Sequence, residues 1–191
     1  MKNDAEAFME LVKTVSRLRA PDGCPWDRAQ THESLKAACV EEAAEVISGI
    51  NILTQTGKSE SLREELGDLL LQVIMHALIA EEEGLFTLED VLHTINAKMI
   101  RRHPHVFGTK NGTNSNSHKT PALHASAAEH RIMEEVGPEQ AETAMQSLLT
   151  DWKQIKALEK QGREWEEAYL FEAFDESEKL IDVARRRKQE K

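Results

Sequence analysis

Apolar residues recur at helical spacing through most of the first hundred positions. Phe8, Leu11, Val12, Val15 and Leu18 form one stripe, which predicts a helix over 4–18. Pro21, Gly23 and Pro25 break it. Thr31 is placed to cap a second helix running to about Gln55, with Leu35, Ala38, Val46, Ile47 and Ile50 as its apolar members and Gly57 just beyond its end. Ser61 to Glu64 reads as a capping box opening a third helix that carries Leu62, Leu66, Leu69, Leu70, Val73, Ile74 and Leu78 and closes at Gly84. Thr87 to Asp90 reads as a similar box for a fourth helix through about Arg102, stopped by Pro104. No stretch alternates long enough to predict a strand. The expected class is all-α, a four-helix bundle with antiparallel neighbours.

The pattern then changes. Residues 108–120, GTKNGTNSNSHKT, predict a mobile polar linker. Helical spacing resumes near Pro121, with a break at Gly137-Pro138 and a long charged helix from about 139 onward. Its terminal ARRRKQEK run reads as a solvated helix end, with cations that suit a C-terminal dipole.

Composition narrows the functional classes. The chain has 191 residues, 30% of them charged, and a formal net charge of −10. Nucleic-acid binders usually show a basic face, so polynucleotide binding is not expected. The longest apolar stretch, Leu69 to Ala80, is interrupted by Gln72 and His76 and is too short to span a bilayer. The first residues carry neither a long apolar region nor a cleavage signature, so a cytoplasmic protein without membrane attachment is expected. Cys24 and Cys39 fit no metal-finger or CxxC spacing and read as reduced structural thiols.

Five carboxylates carry the candidate chemistry. Residues 41–45 read Glu-Glu-Ala-Ala-Glu, and nineteen residues separate Glu45 from Glu65, three before Asp68. On a helix Glu42 aligns with Glu45, and Glu65 with Asp68. Two such helices face to face would gather at least four acids in a pocket that repels itself unless cations fill it. Oxygen-only ligands suit hard Mg2+, with Mn2+ as the alternative, and Mg2+ commonly brings a phosphate substrate. The competing reading is a solvated acidic face. Against it, these acids border apolar runs, where charges must be paired or metal-bound.

Lys98, Arg101 and Arg102 form a second constellation, at i, i+3 and i, i+4. One helix face can present these cations to a triphosphate, although a helix C-terminus attracts cations for its dipole alone. His103 and His105 read as structural, and His32, His76 and His93 receive no role. Trp26, in Pro21-Asp22-Gly23-Cys24-Pro25-Trp26-Asp27, either anchors its loop on the core or stacks on a flat ligand; anchoring is the favoured reading.

In order, these pieces resemble the MazG family of nucleoside triphosphate pyrophosphohydrolases. The resemblance rests on Leu18-Arg19 through Gly23-Cys24-Pro25-Trp26-Asp27, on Glu41-Glu42-x-x-Glu45, on Glu64-Glu65-Leu66-Gly67-Asp68-Leu69-Leu70, and on Lys98 with Arg101-Arg102-His103-Pro104-His105-Val106-Phe107. It covers about residues 8–108, with a short echo at Trp152-Lys153-Gln154-Ile155-Lys156. It implies a MazG-like domain over 1–108; beyond it, the residue pattern itself predicts the linker over 109–120 and a helical extension over 121–191 that supports assembly or a pocket edge. It further implies Mg2+-dependent cleavage of a nucleoside triphosphate to monophosphate and pyrophosphate, by a homodimer or dimer of dimers. Carried over by position, Glu42, Glu45, Glu65 and Asp68 look like metal ligands. Glu41 looks like an accessory acid, with Glu41 or Glu42 accepting a proton from water. Lys98 and Arg102 look like phosphate contacts, with Asn96 and Trp26 as further substrate-binding candidates. A second EExxE/ExxD set is absent from the sequence. The competing functions are a pyrophosphohydrolase dedicated to one metabolite, such as phosphoribosyl-ATP, and a non-catalytic helical module, which the intact acids disfavour.

Overall fold

The computed structural model describes residues 2–107 and 152–190. Among these residues every regular element is a helix. The linker 109–120, the expected resumption near Pro121 and the break at Gly137-Pro138 lie outside them. The chain divides into two compact units, residues 1–92 with 167–191, and residues 93–166.

In the first unit, α1 spans Lys2–Arg19, α2 Pro25–Arg28, α3 Lys36–Thr56 and α4 Glu60–Glu82. Helix α3 pairs with α4, and α1 packs on α2 and α4. Val15, Leu35, Ile74, Met75 and Ile79 form the buried core, with Phe8, Leu11, Val12, Leu71 and Leu78 against it. The α1 stripe is thus the expected one, except that Leu18 at its end is 39% exposed.

Two helix starts differ from expectation. Thr31 does cap a turn, since the Ser34 amide donates to Thr31 Oγ1 (3.1 Å) and the Thr31 amide to Ser34 Oγ (2.9 Å). Regular helix begins only at Lys36. Helix α4 begins at Glu60, not at a Ser61 cap. Ser59 stands at its N-cap without a side-chain cap bond, and Glu60 puts a carboxylate in the first turn, which suits the dipole. The loop read as a simple breaker contains the single turn α2, opened by Pro25 at a position where a missing N–H costs nothing.

Close packing of α3 on α4 depends on Gly49. A Cβ there would lie 2.7 Å from the Leu62 Cα. The other sides of these helices stay open: Ile47 and Ile50 on α3, and Leu66, Leu70 and Val73 on α4, are all more than a third exposed. Both helices carry apolar residues nearly all round, more than the described chain covers.

A polar cluster ties the 31–35 turn to both helices. The His32 and His76 rings stack 5.0 Å apart with Nδ1 atoms 2.7 Å from each other, and Cys39 Sγ lies 3.3 Å from His76 Nε2. Burial, then His32, holds His76 below its ordinary pKa, and burial pushes the Cys39 thiol up. Both groups are therefore neutral near pH 7, and the structural reading of Cys39 fits.

Helix α5 spans Leu88–Arg102, followed by α6 at Pro104–Phe107. Its Thr87–Asp90 box forms as expected: the Thr87 amide donates to Asp90 Oδ2 (2.9 Å), and the Asp90 amide to Thr87 Oγ1 (3.2 Å). The expected long final helix is interrupted. Residues 152–159 are helical, a turn follows with Gly162 at φ 82°, and α7 runs over Glu166–Gln189. The left-handed φ at Gly162 stops a helix that charge patterning alone would continue.

Candidate active site

Helices α3 and α4 bring the predicted acids together. One carboxylate oxygen from each of Glu42, Glu45 and Glu65 lies within 4.8 Å of the others. Burial pushes Glu42 above its ordinary pKa, helped by Asp68, Glu45, Glu65 and Glu41 in that order. Burial and then Glu45 act the same way on Glu65. Charges that raise one another's pKa lack sufficient local cations. The donors are all hard oxygens gathered within 4.8 Å of one another, so the set fits a divalent metal. Asp68 lies outside the tight trio but is the strongest neighbouring charge on Glu42.

Beside the acids is a cavity of about 380 Å3, whose lining includes Leu18, Trp26, Glu41, Leu71, Gln72 and Arg187. Trp26 is 76% exposed, so it does not anchor its loop on the core. That task falls to Arg19, a buried residue whose role the sequence reading missed. Its guanidinium makes a bidentate pair with Glu82 (2.8 and 2.6 Å) and donates to the Asp27 carbonyl (2.6 Å). The loop is held from below while the indole faces outward. Gln72 is the second missed residue: it is 8% exposed, and its Oε1 has no hydrogen-bond partner. Only its interruption of the apolar run Leu69–Ala80 singled it out in the sequence.

The C-terminal run is not merely a solvated helix end. Lys188 of α7 ion-pairs with Glu45 and lies 3.9 Å from Glu41. This contact spans well over a hundred residues of sequence and leaves no periodic trace.

Asn96, Lys98 and Arg102 belong to the second unit. Asn96 is exposed and Lys98 half-buried. Arg101 and Arg102 both pair with Glu159, through Nε at 2.8 and 2.9 Å. Arg102 also lies 5.4 Å over the Trp152 ring. Arg102 first, then Arg101, holds Glu159 below the ordinary carboxylate range.

The family profile of the MazG nucleotide pyrophosphohydrolase domain matches residues 30–107. The chain carries a MazG domain. It is 53% identical over 112 residues to the nucleoside triphosphate pyrophosphohydrolase/pyrophosphatase MazG of Thermotoga maritima, covering 59% of this chain and 42% of that protein. It is 48% identical over 100 residues to the uncharacterized protein YabN of Bacillus subtilis, covering 52% of this chain and 20% of that one. With the nucleoside triphosphate pyrophosphohydrolase of Escherichia coli K12 it shares 42% identity over 106 residues, 55% of this chain and 39% of that one. The chain thus spans less than half the length of these curated relatives. The MazG domain contains all five acids together with Asn96, Lys98 and Arg102, whereas Trp26 and α7 fall outside the matched span. No helix among the described residues is long and apolar enough to cross a membrane.

Proposed function

We propose that the chain hydrolyses nucleoside triphosphates, ribo or deoxy, to the monophosphate and pyrophosphate, clearing noncanonical nucleotides. The convergence of Glu42, Glu45 and Glu65 within 4.8 Å is the observation that carries this reading. The MazG match and the names of its relatives support the same chemistry. Glu42, Glu45, Glu65 and Asp68 hold Mg2+, with Mn2+ as a substitute. When bound, the metal supplies positive charge to the phosphate oxygens and acidifies water.

The remaining steps belong to the chain's own side chains. Glu41 or Glu42 accepts the proton of the attacking water. The water oxygen bonds to phosphorus as the bridging P–O bond breaks in line, and pyrophosphate leaves with the bonding electrons. Lys98 and Arg102 contact phosphate on the strength of their sequence pattern, with Asn96 beside them. Trp26 stacks on the base, which the 380 Å3 cavity has room to receive, and the unpartnered Gln72 Oε1 gives that cavity a polar edge. The chain acts in the cytoplasm as a homodimer or dimer of dimers. Leu66, Leu70 and Val73, exposed at i, i+4 and i+7 on α4, support such an assembly.

The test is a panel of ribo- and deoxynucleoside triphosphates, canonical and damaged, with phosphoribosyl-ATP beside them, assayed for pyrophosphate with Mg2+, with Mn2+ and with chelator. Mg2+-dependent release from several triphosphates is expected. Release without divalent metal, or from phosphoribosyl-ATP alone, would overturn the reading.

A further inference from the structure

Helix α7 meets the acid-bearing helix α3 through ion pairs of exposed side chains, at Glu176 and at Lys188. Lys36 bridges to Glu176 at 3.3 Å. Ile181, Ala184, Arg185 and Lys188, at i, i+3, i+4 and i+7, share one face and line a second cavity of about 310 Å3 with Val40, Glu41, Ala44, Glu45 and Ser48. One residue before Lys188, Arg187 lines the Trp26–Gln72 cavity together with Glu41. Two consecutive cations of α7 therefore border the two halves of the proposed nucleotide site, Arg187 at the cavity and Lys188 at the acids.

We propose that α7 supplies phosphate-binding cations to the nucleotide site of its own subunit, with Arg187 and Lys188 holding the phosphates of a nucleotide whose base occupies the Trp26–Gln72 cavity. This rests on the nucleotide reading above and extends it to a helix outside the matched MazG domain. A triphosphate approaching five carboxylates meets repulsion that one metal ion only partly offsets, so nearby fixed cations favour binding. Arg187 offers a planar fork of donors that matches phosphate oxygens in pairs. Lys188 now neutralises Glu45. A divalent cation on that carboxylate repels the ammonium, and the four-carbon stem lets it swing to the phosphates that arrive with the metal. The same residue thus balances the acids before binding and the substrate after it.

The test is calorimetric binding of an α,β-methylene nucleoside triphosphate with Mg2+ to the full chain, because that analogue reports affinity without turnover. Arg187→Met and Lys188→Met should each weaken binding about tenfold, the loss expected for one charge-assisted phosphate contact. Arg186→Met removes the same charge from a residue lining neither cavity and should change affinity less than about twofold. Circular dichroism of all three should match the wild type. Unchanged affinity in an Arg187→Met/Lys188→Met double variant would overturn the proposal. So would Lys188→Met tightening Mg2+ binding without nucleotide while leaving analogue affinity intact, since Lys188 would then only compete with the metal. A wild-type chain that binds no triphosphate analogue would sink the nucleotide reading itself, and this inference with it.

Discussion

The spacing of α3 and α4 sets the acid cluster, and Gly49 tests that spacing. In Gly49→Ala the new methyl would lie 2.7 Å from the Leu62 Cα and 2.9 Å from its backbone nitrogen. Carbon atoms rest comfortably at about 3.5–4.0 Å, so the two backbones must part by about 1 Å. Overpacking of this kind costs about 1–3 kcal/mol, and alanine returns about 1 kcal/mol through its better helix propensity. The net loss is therefore between about 0 and 2 kcal/mol, a fall of up to roughly 10 °C in Tm relative to wild type. Gly67→Ala is the matched control. It sits within α4 with nothing within 4 Å of its added methyl, so only the propensity gain remains and Tm should rise a few degrees. Thermal melts followed by circular dichroism, at one protein concentration and without divalent metal, give both numbers. Gly49 lies one turn past Glu45, and Leu62 one turn before Glu65, so Mg2+ should also raise Tm less in Gly49→Ala than in wild type. Relative to wild type, a Gly49→Ala protein that gains as much Tm as Gly67→Ala would refute the close approach and the account of how the acids are spaced.

Three further outcomes follow from single side chains. Arg19 holds Glu82 below the ordinary carboxylate range, so that pair stabilises the fold above about pH 4.3 and is lost as pH falls through the depressed folded value. The Tm gap between wild type and Glu82→Gln should therefore shrink steadily in melts taken from pH 5 to pH 3, and a gap constant with pH would count against the pair. Trp26→Ala should leave stability within about 0.5 kcal/mol, because the ring is exposed, while raising KM for a triphosphate roughly tenfold; an unchanged KM would mean no base stacks there. Lys98→Met keeps the apolar stem and removes the charge, and steady-state kinetics should show kcat falling more than KM rises, since the leaving pyrophosphate gains charge. Unchanged kcat/KM would make Lys98 a solvated surface residue.

What was legible in the sequence was what has a short period. The α1 stripe, the Thr87–Asp90 box and the alignment of Glu42 with Glu45 are all local, fixed by residues three or four apart. The meeting of Glu65 with that pair was accessible only as an inference from two apolar helices that needed each other. Features set by distant contacts were not visible. Large aromatics gain most from burial, which favours the core for Trp26, but Arg19 holds the loop through Glu82 instead, and that pairing crosses most of the first unit. The basic end of α7 reads as solvated because the counter-charge of Lys188, Glu45, stands on α3, far away in sequence. The turn at Gly162 was lost for a different reason: a lone glycine in a charged helical pattern is ambiguous until its φ is known.

The central claim is that the acids of α3 and α4 drive cleavage to a monophosphate and pyrophosphate. Phosphorus NMR of a triphosphate incubated with the full chain and Mg2+, run beside Glu65→Gln, tests it most directly. The account predicts equal amounts of nucleoside monophosphate and pyrophosphate from the wild type. From Glu65→Gln it predicts a turnover lower by on the order of a hundredfold or more, with the helical signal unchanged. Diphosphate with free phosphate as products, or near-wild-type turnover by Glu65→Gln at limiting Mg2+, would contradict it.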